Sequence, residues 1–328
     1  MTDENIRDLL FGVKYEKVPL RTIASYRERN LIPAFIDSDS AKKWRSTFVG
    51  NFLYHNPRYH GIIMDVKEAI GKLPDMDDFT EANLNKIVEK LQQKAPNTAR
   101  QAASLIKSTI TRMLESDDCN IPVPCKRYQK ILSLEGCPTT KTYMGVEDLK
   151  KYFHYEPQNE RERICHARYA VMMMTGARYS DVRKFTRANI QNGVLTYVPQ
   201  KTKKHRTVVS LPVSDALVHY IDILSQNESM YDLPKFNETI RDICRKCGLD
   251  EEVTYFWGGK YITRPKWKAI RSHLGRASFV TNMLKMGLQI HEVSKLAGHT
   301  DVTMTSRYNA SSEVKLTKEA NDFINMRF

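Results

Sequence analysis

Between Ser116 and Thr142 the chain stops reading as helix. The segment collects Asp, Asn, Pro, Cys and Gly, with basic Lys126, Arg127 and Lys130 among them, a chemistry that favours turns over any periodic element. A break of this length inside 328 residues divides the chain into two domains, each with its own core, as expected for chains above the usual single-domain size. The expected layout is an N-terminal extension over residues 1–40, a helical domain over 41–117, a linker over 118–142 and a second domain over 143–328.

Ahead of the break the apolar residues keep helical spacing in four stretches: Lys42 to Tyr54, Ile62 to Leu73, Phe79 to Leu91 and Thr98 to Leu114. The last is the most regular, with Ala102, Leu105, Ile106, Ile110 and Met113 at three- and four-residue steps. Four such helices predict a small bundle. In residues 1–40 only Ile6 to Phe11 reads as helix. Beyond the break, Gly145-Val146-Glu147-Asp148-Leu149 opens a helical half-domain. Val194, Thr196 and Val198 then alternate with their neighbours, and Thr207 to Leu211 returns as a second strand, which predicts a hairpin with a cationic tip over Gln200 to Arg206. Helices resume at Asp215 to Leu224 and Glu238 to Cys247, and Tyr255 to Lys266 predicts a second hairpin turning at Gly258-Gly259. The fold class expected is mainly α with a small antiparallel β-sheet.

Composition narrows the partners. Fifty-one Lys and Arg against 38 Asp and Glu leave a charge of +13, spread as +4 up to residue 130 and +9 beyond it. Such an excess suits a polyanion, whose condensed counterions are released when basic side chains meet phosphates. No apolar run approaches the roughly 18 residues of a membrane span, and the start MTDENIRD is polar and acidic where a signal peptide would be basic and then apolar. A cytoplasmic, DNA-associated protein is expected. Six cysteines are too few for a disulfide scaffold in a chain this long. Cys244 and Cys247 have the spacing of half a zinc site, but no second pair completes it. Ile240, Ile243, Cys244 and Cys247 also share one helical face, so the thiols are read as core and no metal site is assigned.

Several residues carry possible chemistry, and each has a plain alternative. A helix through Ile164, Ala167, Val171 and Met174 stops at Gly176, which puts Arg178 in a tight turn before a new helix starts near Ser180-Asp181. Its guanidinium fork suits two phosphate oxygens; otherwise it is a surface arginine at a helix end. The tip Gln200-Lys201-Thr202-Lys203-Lys204-His205-Arg206 suits a DNA groove or is a solvated turn. His273 and Arg276 lie at i and i+3 and share a helix face. Gly298 stops a helix before His299, Thr300 or Asp301 caps the next, and that one holds Met304 and Tyr308, which alone would pass for a half-buried core tyrosine.

The ordered set reads differently. The strings TGARYSDV (175–182), QKTKK (200–204), SHLGRASF (272–279) and LAGHTDVTMTSRY (296–308) stand in the order and spacing of one family, with nine residues from His299 to Tyr308. Over about residues 145 to 310 the chain resembles a tyrosine recombinase of the phage integrase family, of the phage or mobile-element type. The resemblance implies a helical core-binding (SAM-like) domain followed by the tyrosine recombinase catalytic domain. It also implies a site-specific recombinase or integrase that cleaves and rejoins DNA through a 3′-phosphotyrosyl link, with no cofactor, metal or ATP. Tyr308 would be the nucleophile, Arg178 and Arg276 the clamp on the nonbridging oxygens, and His299 a further hydrogen bond there. His273 would be the base, Lys201 the acid and Asp181 a supporting carboxylate. Lys203, Lys204, Arg206, Lys126 and Arg127 would contact DNA.

Partners implied are double-stranded recombination sites, a homotetramer assembled on them, and host- or element-encoded DNA-bending proteins, with no membrane. Leu316, Ala320, Phe323 and Ile324 keep helical spacing; they pack against their own domain or, as the resemblance implies, insert into a neighbouring protomer. Ala297 stands where the family often has Leu, and Ala277 where it often has His or Arg; neither position belongs to the chemical set. The Trp257-Gly258-Gly259 insert has no role in this reading. A type IB topoisomerase shares the chemistry without exchanging partners. A DNA-binding regulator that has lost catalysis would not need the complete Arg, Lys, His, Arg, His and Tyr set.

Overall fold

The computed structural model describes residues 1–12, 18–116, 123–137, 142–205, 207–226, 231–257 and 259–306. Tyr308, Arg206 and the connector stretch Leu316 to Ile324 lie outside the described residues, as do the side chains of Lys203 and Lys204. The chain divides into two compact units, residues 1–138 and 139–328. Both are mainly helical, and the second holds two small antiparallel sheets.

Among the described residues the first unit holds helices and no strand: α1 (Asp3–Phe11), α2 (Leu20–Glu28), α3 (Ser38–Ser46), α4 (Phe48–His55), α5 (His60–Ile70), α6 (Glu81–Gln92), α7 (Pro96–Leu114) and the single turn α8 (Tyr128–Ile131). The stretch read as one helix from Lys42 to Tyr54 is two. Thr47 leaves the helix in an extended conformation and caps α4 by accepting the Gly50 N–H at 3.1 Å. A Cβ at Gly50 would lie 1.7 Å from the Trp44 carbonyl, so the tight corner admits only glycine there. α7 runs nearly as its periodicity predicts and buries Ala102, Ala103, Ile106, Ile110 and Met113.

Two expected boundaries differ from what the first unit contains. Residues 1–40 are set apart in the sequence reading, yet Ile6, Leu10, Phe11, Ile23, Tyr26 and Ile36 lie in the same core as the bundle. The Trp44 indole donates to the Leu31 carbonyl at 2.8 Å and ties the two stretches together. Cys125, Tyr128 and Leu132, inside the expected linker, join that core as well. Turn composition marks where helices end, but a turn-rich segment packs when it places a few apolar side chains over an open core face.

The second unit begins with α9 (Val146–Phe153) and is built around α10 (Glu160–Thr175), which is buried on nearly every side from Ile164 to Met173. Asn159 caps its start by accepting the Glu162 N–H, and Gly176 ends it in the left-handed region at φ 67°. One turn, α11 (Tyr179–Val182), follows. A three-stranded sheet comes next: β1 (Ile190–Gln191), β2 (Val194–Tyr197) and β3 (Val209–Pro212), in the order β1-β2-β3. Leu195 pairs with Leu211 and Tyr197 with Val209, all four buried, while Val194, Thr196, Ser210 and Pro212 face outward. The cationic tip contains a 3-10 helix over residues 200–205.

Helices α12 (Asp215–Ser225) and α13 (Leu233–Lys246) follow, then the ribbon β4 (Glu252–Trp257) with β5 (Lys260–Pro265). α13 starts earlier than its apolar pattern because Asp232 caps it, accepting the Lys235 N–H, and Pro234 fits the first turn. Short α14 (Lys266–Ala269), buried α15 (Ser272–Lys285), α16 (Ile290–Ala297) and α17 (Thr303–Ser306) complete the described chain. Ser278 and Asn282 on α15 bond to the two backbone groups of Met144, which fixes the start of this unit against α15. Cys244 is fully buried in this core, and burial raises the thiol pKa of Cys244 well above the ordinary range and that of Cys247 to about 11. Both stay protonated, in line with the core reading. Among the described residues no helix is long and apolar enough to cross a membrane.

Candidate functional site

Two left-handed glycines end the helices that lead into the Arg178 and His299 turns of the second unit. At Gly176 a Cβ would sit 2.5 Å from the Phe279 ring, so only glycine lets the end of α10 meet α15 this closely. Across that contact the Arg276 guanidinium, 2% exposed, donates through Nη1 to the Gly176 carbonyl at 2.8 Å. Arg178 stands two residues further along the same turn, extended at ψ 154° and capping α11. Arg276 thus bonds to the turn that carries Arg178, and both guanidinium charges act on the Tyr197 phenol.

The turn is braced from both sides. The Tyr179 hydroxyl donates to the Tyr231 carbonyl at 2.6 Å, and the buried Arg168 guanidinium lies 5.6 Å over the Tyr179 ring. Asp181 is almost fully buried: Oδ1 accepts the Gln200 backbone N–H at 2.9 Å, and Oδ2 lies 3.9 Å from Arg178 Nη1. Arg178 Nη1 is buried and has no hydrogen-bond partner among the described residues. A buried guanidinium nitrogen left this way is costly unless an anion completes it.

Tyr197, which sequence reasoning passed over, belongs to the same cluster. Burial pushes its phenol up to about 12; Asp181 adds to the shift, while the Arg276 and Arg178 charges oppose it. Its ring packs on Phe185 at 4.7 Å, and its hydroxyl is buried without a hydrogen-bond partner among the described residues. The available signal is the strand alternation, which puts Tyr197 on the same face as Leu195, but alternation says nothing about which charges that face meets.

The second glycine is Gly298, which ends α16 at φ 65°; a Cβ there would lie 2.7 Å from Val209 Cγ2 and 3.0 Å from Pro199 Cγ. This approach docks the His299 turn on the sheet next to the segment that carries Lys201. His299 is buried, its N–H bonds to the Ser294 carbonyl, and its Nδ1 lies 2.7 Å from Thr305 Oγ1. Asp301 caps the following turn by accepting the Thr303 N–H at 2.9 Å.

The expected face of His273 and Arg276 separates by depth. His273 is exposed in the first turn of α15, and Arg276 one turn later is buried. Lys201 is exposed in the 3-10 turn, whose first residue Gln200 is the one held by Asp181. Lys126 and Arg127 belong to the first unit and are exposed, with Arg127 3.4 Å from Glu81. That unit also has an open cleft of about 700 Å³ lined by Lys42, Lys43, Arg45, Asn51 and Tyr54, with the Arg45 guanidinium 5.8 Å over the Tyr54 ring. Among the described residues no group of three or more His, Cys, Asp or Glu is placed to hold a metal ion.

Comparison with known proteins supplies the context. The model of the phage integrase family matches residues 142–314. Tyrosine recombinase XerD of Staphylococcus aureus (strain N315) is 27% identical over 169 residues, covering 47% of this chain and 52% of that protein. Tyrosine recombinase XerC of Rickettsia prowazekii (strain Madrid E) is 22% identical over 191 residues, 54% of this chain and 56% of that protein. The chain spans about half the length of the curated relatives it matches. Among solved structures, the Tn1549 transposon integrase in complex with a circular intermediate DNA superposes with a TM-score of 0.57 at 11% identity, over 90% of this chain and 98% of that one. A lambda integrase dimer bound to a COC′ core site gives 0.52 at 14% identity, over 88% and 94%. At these identities the likeness is one of fold.

Proposed function

Because the chain belongs to the phage integrase family, we propose that it is a site-specific DNA recombinase or integrase that cuts and rejoins strands through a phosphotyrosyl link on Tyr308. The observation that carries this reading is the buried, unbonded Nη1 of Arg178 on the turn whose Gly176 carbonyl Arg276 holds. The buried Arg178 Nη1 has no hydrogen-bond partner among the described residues, and a phosphodiester supplies two nonbridging oxygens for two guanidinium forks. The DNA named with the Tn1549 and lambda integrase structures agrees with the +13 charge of this chain.

In this proposal the Tyr308 oxygen attacks the scissile phosphorus as the bond from phosphorus to the 5′-oxygen breaks. The tyrosine proton passes to His273, and Lys201 delivers a proton to the leaving 5′-oxygen. Arg178, Arg276 and His299 take up charge on the nonbridging oxygens. A 5′-hydroxyl from a partner strand reverses the step. The phosphotyrosyl bond keeps the energy of the bond it replaces, so the cycle needs no ATP, and the side-chain cations supply the positive charge that a metal provides elsewhere. Asp181 holds Arg178 and the Lys201 segment rather than reacting. The helical first unit, with its Lys42, Lys43 and Arg45 cleft and exposed Lys126 and Arg127, would bind the duplex backbone, and Lys203, Lys204 and Arg206 would meet phosphates near the cut. Exchange between two duplexes requires four active sites, hence a homotetramer on DNA, with Leu316 to Ile324 as the connector and DNA-bending proteins as accessory partners. The work would be done in the cytoplasm.

The test is a nicked duplex carrying the site mapped by footprinting the DNA that flanks the protein's own gene. Incubation in EDTA should give a denaturant-resistant protein-DNA band, absent from Tyr308→Phe. A band that persists in Tyr308→Phe removes the nucleophile assignment, and no band from the unaltered protein removes the enzyme reading.

A further inference from the structure

We infer that Thr305 is a positioning residue that fixes the tautomer of His299, a role that rests on the recombinase reading of His299 as a group facing the phosphate. Thr305 is fully buried on α17, and its hydroxyl has one hydrogen-bond partner among the described residues, His299 Nδ1 at 2.7 Å. A buried hydroxyl whose proton finds no acceptor leaves that donor unpaired, at a cost that the neighbouring imidazole nitrogen relieves. The proton of Thr305 therefore points at Nδ1, and Nδ1 must offer its lone pair. A neutral imidazole carries one N–H, so the ring hydrogen goes to Nε2. His299 then presents a hydrogen-bond donor at Nε2 without needing a positive charge. The opposite tautomer would present a lone pair to a phosphate oxygen and repel it.

The arrangement is built from both sides of the turn. The His299 backbone N–H is held by the Ser294 carbonyl, and Asp301 caps the start of α17 through Thr303. Ring and hydroxyl thus belong to two anchored elements. In the sequence Tyr308 follows Thr305 by three residues, so the contact that sets the ring also fixes the element leading to the nucleophile.

The experiment compares Thr305→Val, which keeps the shape and loses the hydroxyl, with Thr305→Ser, which keeps the hydroxyl. Nitrogen NMR of imidazole-labelled protein without DNA should report the Nε2–H tautomer at His299 in the unaltered protein and in Thr305→Ser. Thr305→Val should show the Nδ1–H form appearing. Adduct formation on the nicked site should slow about tenfold in Thr305→Val, the scale of one hydrogen bond, with site binding unchanged and the rate restored in Thr305→Ser. In a His299→Ala background Thr305→Val should cost nothing further. An Nδ1–H tautomer in the unaltered protein, or an equal Thr305→Val defect in the His299→Ala background, overturns the inference. Loss of adduct in the unaltered protein would count against the recombinase reading and leave the tautomer result standing.

Discussion

The Asp181 carboxylate accepts the backbone N–H of Gln200 at 2.9 Å, across 19 residues of chain. Its other oxygen lies 3.9 Å from Arg178 Nη1. One buried acid thereby sets both the first arginine of the turn and the start of the segment that presents Lys201. Asp181→Asn keeps an acceptor for Gln200 and should lose about tenfold in the rate of adduct formation, whereas Asp181→Ala loses both contacts and should fall by about 100-fold. Single-turnover rates on the nicked site measure this. Equal rates for the two variants would show that the backbone anchor contributes nothing.

Lys201 is distinguished from its neighbours by what it would do, not by charge. Lys201→Ala should cleave ordinary DNA very slowly and recover when sulfur replaces the 5′-bridging oxygen, because a thiolate leaves without a proton. Lys203→Ala and Lys204→Ala should bind more weakly, with a shallower salt dependence, and show no such rescue. Rescue of either of these by the sulfur substrate would move the acid two or three residues along the turn.

The two arginines should separate in stability. Both Arg178→Ala and Arg276→Ala should slow cleavage by at least about 100-fold, the scale of removing one preorganised donor. Arg276→Ala also strips the Gly176 carbonyl of its 2.8 Å donor inside the core, at a cost of about 1–3 kcal/mol. Arg178 Nη1 has no hydrogen-bond partner among the described residues to lose. Urea denaturation should rank Arg276→Ala below Arg178→Ala, and the reverse order would contradict the geometry.

Glu162 gives the second unit an acid-sensitive anchor. Burial opposes its ionisation, but Lys246 at 2.7 Å, the Gln158 N–H and the Tyr155 hydroxyl outweigh that and lower the pKa from 4.5 to about 2. A depressed folded-state value means the stabilisation is complete above about pH 4.5 and is lost as the pH falls toward 2. Melting temperatures of the unaltered protein and Glu162→Gln should differ most above pH 4.5 and draw together on acidification. A gap that stays constant from pH 5 to 2 would remove Glu162 from the account.

The sequence by itself determined the helical bundle, the α7 periodicity, the pairing of β2 with β3 and the order of the chemical residues. These follow from local spacing, because apolar side chains at three- or four-residue steps, or at every second residue, must share a face wherever the chain goes. Gly176 and Gly298 were legible as helix stops for the same reason. That Phe279 fills the space over one, and Val209 with Pro199 the space over the other, was decided by tertiary packing between segments about 100 residues apart. So were the burial of Arg276 beside an exposed His273, the bond from Asp181 to Gln200, the place of Tyr197 among the charges, and the pairing of Thr305 with His299. Residues 1–40 show the same limit, since their weak pattern gains meaning only once the bundle offers an open face for Ile6, Leu10 and Phe11 to cover. Local spacing fixes which side of an element is apolar; the identity of what that side meets depends on contacts with high sequence separation, which no local pattern encodes.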